Sequence, residues 1–285
     1  MEDINFSIES AQVVVPDSLP PGEALARTTH MGIGAHQDDL EIMAIDGILR
    51  CFQRSDRWFT GVVVTNGRGS ARIGLYEQYT DDDMQAVRTR EQIKAAIVGE
   101  YSAQVMLDFP SSRLKDPSDK GPVDDLTQLL SLAQPEVVYT HNLADKHTTH
   151  IGVVTRTIQA IRGLPPEKRP RYVYGCEVWR DLDWLTLADK VVFDVSEHEA
   201  LQMALVGLFD SQISGGKRYD LATMGRRRAH ATYHESHDSD AATGLVFGMD
   251  LTPLAHDETL DILEYATGYL KRFMDDVRQR IQSVT

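Results

Sequence analysis

Apolar residues in this chain gather into short unbroken runs, and the stretches between them carry apolar positions at helical spacing. "MGIGA" (31–35), "FTGVVVT" (59–65), "QVMLDF" (104–109), "EVVYT" (136–140), "RYVYGCEVW" (171–179) and "KVVFDVS" (190–196) read as buried strands. Residues 40–54, 83–99, 124–133, 152–162, 197–209 and 258–282 read as helices. Residues 1–28, with "VVVPDSLPPGEA", read as an extended arm with proline turns, and 162–171 as a surface loop. Near-continuous apolar strands alternating with helices predict an α/β fold whose mostly parallel sheet is covered on both faces. With no internal repeat and no obvious boundary, residues 1–285 read as a single domain.

Sheets of this kind bind ligands beyond the carboxyl ends of their strands. His36, Asp38 and Asp39 follow the first predicted strand, Asn66–Arg68 the second, and His141–His150 the fourth. Three polar clusters thus fall on one edge. That much charge at the end of a buried strand needs compensation. A divalent first-row metal takes imidazole and carboxylate ligands, and for hydrolysis needs three of them plus an open position. One His and one Asp from the first loop, with one His from the second, would supply that set. The remaining Asp would be free to act as a base.

"AHQDDLEI" (35–42) resembles the His-x-Asp-Asp loop of the PIG-L/LmbE-like zinc deacetylases, and "DKHTTH" (145–150) their second motif with two His three apart. "VVVTNGRGS" (62–70) is similar to the family's glycine-containing loop, and "VRTREQIKAA" (87–96) to the helix after it. The resemblance covers roughly residues 30–160. It implies a Rossmann-like sheet, with zinc held by His36, Asp39 and His150, Asp38 as general base, and His147 as the acid that steadies the tetrahedral intermediate. The activity implied is removal of the N-acetyl group from an N-acetylglucosamine-type sugar or its conjugate, with iron(II) acceptable in place of zinc. Two positions depart from the family's pattern. Gln37 stands where Pro or a small residue is usual, and Thr149 where an Asp usually orients the acidic His. Asp145 is the nearest substitute for that carboxylate.

Around the rim, Asn66, Arg68, Arg88, Asp145, Trp179, Arg180 and His234 are candidate substrate contacts. Arg88 could equally pair with Glu91 or a site carboxylate. Residues 225–255 are a candidate lid, in which Tyr233 or His234 would reach the substrate. His230 and His234 could share a helix face, but no Cys or close acid pair completes a second metal set.

A formal charge of −14 disfavours a general nucleic-acid or anionic-membrane binder. Two cysteines, no basic-then-apolar leader and no long apolar run favour a cytoplasmic protein without a membrane span. The partner expected is a small amino-sugar substrate; a homo-oligomer is left open. Three rivals compete with hydrolysis. Gly32 and Gly34 suggest a dinucleotide fingerprint, but Gln37 replaces its third Gly and an anion would meet two aspartates. "HQD" with a distant His matches the facial triad of iron(II) oxygenases, whose usual β-barrels the strand–helix alternation contradicts. A non-catalytic zinc- and sugar-binding protein is the third, prompted by Thr149.

Overall fold

The computed structural model describes residues 4–285, so the first three residues of the predicted arm lie outside the described residues. Eight strands form one sheet: β1 (Gln12–Val14), β2 (His30–Gly34), β3 (Phe59–Thr65), β4 (Ala103–Phe109), β5 (Val137–His141), β6 (Tyr172–Cys176), β7 (Lys190–Asp194) and β8 (Leu245–Asp250). Across the sheet they run β1-β4-β3-β2-β5-β6-β8-β7. The five from β4 to β6 are parallel, whereas β1 and β8 run antiparallel to their neighbours. This is the mostly parallel, helix-flanked α/β sheet expected. Every residue of β2, β3 and β5 is buried, which is why these strands read as unbroken apolar runs rather than as alternation. One face packs Met31, Ile33, Val62 and Val64 under the helices at Gly121–Ala133 and Thr148–Arg162. The other packs Phe59, Val63 and Tyr139 under those at Ile45–Cys51, Asp81–Val98 and Glu199–Gly207.

Three local readings are corrected. The arm is not simply extended: β1 pairs with β4 at the sheet edge, and Pro21–Ala26 is a helix whose first position holds a proline, where its missing N–H costs nothing. The predicted helix 40–54 is two, Asp39–Met43 and Ile45–Cys51, broken at Ala44. Buried Arg227 donates to the Glu41 and Ile42 carbonyls that the break leaves free. The helix predicted from 152 begins at Thr148, so His147 becomes its N-cap and His150 lies in its first turn.

Within the candidate lid, residues 225–233 and 245–250 belong to a helix and a strand of the framework, joined by a mostly exposed loop over 234–244. Tyr219–Tyr233 is a helix and β8 sits inside the sheet between β6 and β7. His230 is buried, with Nε2 2.9 Å from Glu177 Oε1, and Glu177 Oε2 accepts the Phe247 N–H. No helix among the described residues is long and apolar enough to cross a membrane.

Candidate metal centre and its cavity

β2 lies between β3 and β5, and the chain order reverses there, so β2 and β5 flank the point where an open α/β sheet leaves a crevice. The loop after β2 carries His36, Asp38 and Asp39, and β5 ends at His141. Gly34 lets that loop fold back over the strand end, since a Cβ there would lie 3.0 Å from Asp39 Cβ. Asp38 takes a left-handed backbone with φ 100°, a conformation that costs a non-glycine residue about 1–3 kcal/mol and concentrates at functional sites.

His36 Nδ1, Asp39 Oδ2 and His150 Nε2 form a triangle. Its edges are 3.2 Å between the two imidazoles, 3.4 Å from His36 to Asp39 and 3.5 Å from His150 to Asp39. Ligand atoms about 2.0–2.1 Å from a tetrahedral metal stand about 3.3–3.4 Å from each other, so the triangle fits one face of such a set. Two overlapping donor groups surround it, His36 with His147 and His150, and Asp39 with His141 and His150. His141 is spoken for on its near side. Its Nε2 accepts the Ala35 N–H at 2.9 Å, which places its own hydrogen on Nδ1. Its ring stacks on His150 with centroids 3.8 Å apart and holds that imidazole in place.

The two adjacent carboxylates are driven in opposite directions. Burial pushes Asp38 well above the carboxylate range, and Arg88 only partly opposes it. Burial alone would raise Asp39 too, but the charge of His150 beside it holds it well below. Asp38 therefore has the higher affinity for a proton while Asp39 stays ionised, the separation expected of a base beside a ligand. Burial lowers His36 and His141 to about 4, so both present neutral rings.

Arg88 does not pair with Glu91. It donates to the Gln37 and Gly67 carbonyls at 2.6 and 3.2 Å and lies 3.8 Å from Asp38 Oδ1, tying the two loops together beside that carboxylate. Glu91 instead accepts from the Ser211 backbone and hydroxyl at 2.8 and 2.6 Å.

Asp145 does not orient His147. Its Oδ1 lies 3.4 Å from His150 Nδ1 and accepts the His147 backbone N–H, while its Oδ2 accepts the Trp179 N–H at 3.1 Å. The ring of His147 is held by the Thr149 backbone N–H, which donates to His147 Nδ1 at 3.3 Å. That bond leaves the hydrogen on Nε2. This donor belongs to the backbone and does not depend on the side chain at position 149, whose hydroxyl makes no bond of its own. A carboxylate behind a ligating imidazole typically raises metal affinity 10–100-fold. Asp145→Asn is accordingly expected to weaken metal binding by about that factor, measured by competition with a chromophoric chelator. Unchanged affinity would show that Asp145 does not act through His150.

The cluster opens into a cavity of about 430 Å³. Of the predicted rim residues, Arg88 and Trp179 line it, as does His147. Asn66, Arg68, Asp145, Arg180 and His234 do not. Asn66 accepts the Arg68 N–H within its own turn, Arg68 pairs with Asp82 and Gln85, Arg180 donates to the Ala144 carbonyl, and His234 tilts against Phe247. Gly67 and Gly69 face the cavity in their stead. The sequence reading missed Lys115, Gln212, Lys217 and Tyr219, all of which line it. Three of them come from residues 210–219, a segment with neither motif nor periodicity. Bonds from Ser211 to Glu91 and from the Ile73 N–H to the Gly215 carbonyl carry it to the site.

Residues 31–161 match the family model described as PIG-L: GlcNAc-PI de-N-acetylase. No curated protein matches the sequence. Among solved structures, the chain is similar to GalB, the 4-carboxy-2-hydroxymuconate hydratase from Pseudomonas putida. The identity is 16%, the TM-score 0.62, and the alignment covers 82% of this chain and 99% of that one. It is similar also to N,N'-diacetylchitobiose deacetylase from Pyrococcus horikoshii, at 15% identity and TM-score 0.60, over 82% of this chain and 88% of that one. A conserved protein from Thermus thermophilus aligns at 16% identity and TM-score 0.59, over 78% of this chain and 94% of that one. Likeness at these identities concerns the fold, which carries both a hydratase and a deacetylase.

Proposed function

We propose that this protein, whose residues 31–161 match the PIG-L family model, is a metal-dependent hydrolase that removes the N-acetyl group from an N-acetylglucosamine-type sugar or its conjugate. The observation that carries the reading is the triangle of His36, Asp39 and His150 with a second, unligated carboxylate at Asp38. The three donors would hold a divalent cation, zinc in our reading, although imidazole and carboxylate also suit iron(II). Bound there, the cation supplies Lewis acidity toward a carbonyl and acidifies a water.

The chain's own groups do the rest. Asp38, with its raised proton affinity, takes the proton from the attacking water. His147 offers its Nε2–H to the oxygen that gains charge as the acetyl carbon becomes tetrahedral. Amide nitrogen leaves poorly until it is protonated, so a proton must then pass to the departing amine, and a site with both a base and a donor suits that need. Arg88, anchored to two backbone carbonyls, keeps the base loop in register.

Acetate release from a panel of N-acetylated amino sugars and their conjugates tests this reading. Release from at least one member, lost on chelation, is expected. Metal binding without release from any member would favour a non-catalytic zinc- and sugar-binding protein.

A further inference from the structure

A second cavity, of about 270 Å³, contains none of the cluster residues. It shares Ile42, Val178, Trp179, Lys217 and Tyr219 with the first, so the two form one continuous cleft. Ile42, Val178 and Ala222 make its wall apolar, and Trp179 and Tyr219 meet edge to face with centroids 6.0 Å apart. Its charged lining is Lys217, Arg218 and Arg226, with no carboxylate, in a chain that has 43 acidic residues against 29 Lys and Arg. Arg218 is neutralised by Asp220 at 2.7 Å. The other two are not. Lys217 Nζ sits 4.6 Å from the centre of the Trp179 ring, and Arg226 Nη1 donates to the Val178 carbonyl at 2.6 Å. Both contacts fix a cation without cancelling its charge.

Lysine and arginine can only donate hydrogen bonds, so these two cations call for a ligand rich in acceptors. A neutral sugar would leave their charge unmatched. We propose that this groove binds the part of the substrate beyond the scissile amide, and that this part is an apolar or aromatic body carrying a carboxylate or phosphate. The aromatic pair takes the body and the two cations take the anion, where apolar walls strengthen the pairing over its value in open water. The inference rests on the deacetylase reading only for which end of the substrate lies here.

Binding of 2-naphthyl phosphate, 2-naphthoate and neutral 2-naphthol to the metal-loaded protein, by isothermal titration calorimetry, tests it. None contains an amide, so binding is read without turnover. At least one anion is expected to bind about tenfold more tightly than 2-naphthol, and the preferred one identifies the group. Lys217 is exposed, so Lys217→Met leaves the core untouched. It should remove most of that preference and leave 2-naphthol unchanged, and Arg226→Gln should repeat the effect from the other wall. Equal binding of all three, or an anion preference that survives both substitutions, would overturn the proposal. Acetate release failing across the panel while Lys217-dependent anion binding persists would remove the deacetylase reading and leave the groove assignment standing.

Discussion

Asp38→Asn is expected to keep its full complement of metal and to lose about 10²–10⁴-fold in kcat/KM, the span a positioned general base contributes. The substitution is nearly isosteric, and Asn tolerates a left-handed backbone at least as well as Asp, so the φ of 100° is retained. The loop has other anchors as well. Arg88 grips the Gln37 and Gly67 carbonyls rather than depending on the Asp38 carboxylate, which lies 3.8 Å away. Asn cannot accept the water's proton at neutral pH. Metal content and acetate release measured on the same preparation separate the outcomes. Metal lost with the activity would make Asp38 a ligand, and activity retained would remove it as the base.

His150→Ala should cost both metal and measurable turnover. His150 belongs to both donor groups, its ring is fully buried, and two carboxylates, Asp39 and Asp145, face its nitrogens at 3.5 and 3.4 Å. Truncation leaves those buried carboxylates facing a void. Removing one partner of such a buried pair costs about 3–5 kcal/mol. The variant should therefore bind no stoichiometric metal by elemental analysis and unfold at lower urea concentration than metal-stripped wild type. A variant that still held its metal would shift the ligand set toward His36, Asp39 and His141.

What could be read in advance follows from where local pattern and tertiary placement coincide. β2, β3 and β5 are buried along their whole length, so their apolar runs are unambiguous, and their shared carboxyl edge makes the polar residues after them conspicuous. The loops that hold His36, Asp39 and His150 follow two of these strands, so their meeting at one edge is legible, whereas the choice of these three residues rests on the family resemblance. Roles set by hydrogen bonds one shell out were not. Asp145 was expected to steer His147, yet the helix beginning at Thr148 turns His147 into an N-cap held by a backbone N–H and leaves Asp145 behind His150. Arg68 looked like a substrate contact because it follows a strand, but carboxylate and amide partners at Asp82 and Gln85 draw it outward. β8 went unread because its apolar run is broken by Gly248 and preceded by a charged, His-rich stretch that reads as loop. The 210–219 wall of the cavity depends on contacts more than a hundred residues apart in sequence, from Ser211 to Glu91, which no local window contains.

The central claim, that His36, Asp39 and His150 hold a divalent metal without which the chain does not hydrolyse an amide, meets its most direct test in a metal titration. Chelator-stripped protein would be titrated with zinc while acetate release from the most responsive N-acetylated amino sugar is followed. The account predicts no release from the stripped protein, a rise in proportion to bound metal, and a plateau near about one equivalent per chain. Release that persists in the stripped protein, or that does not track bound metal, would contradict it.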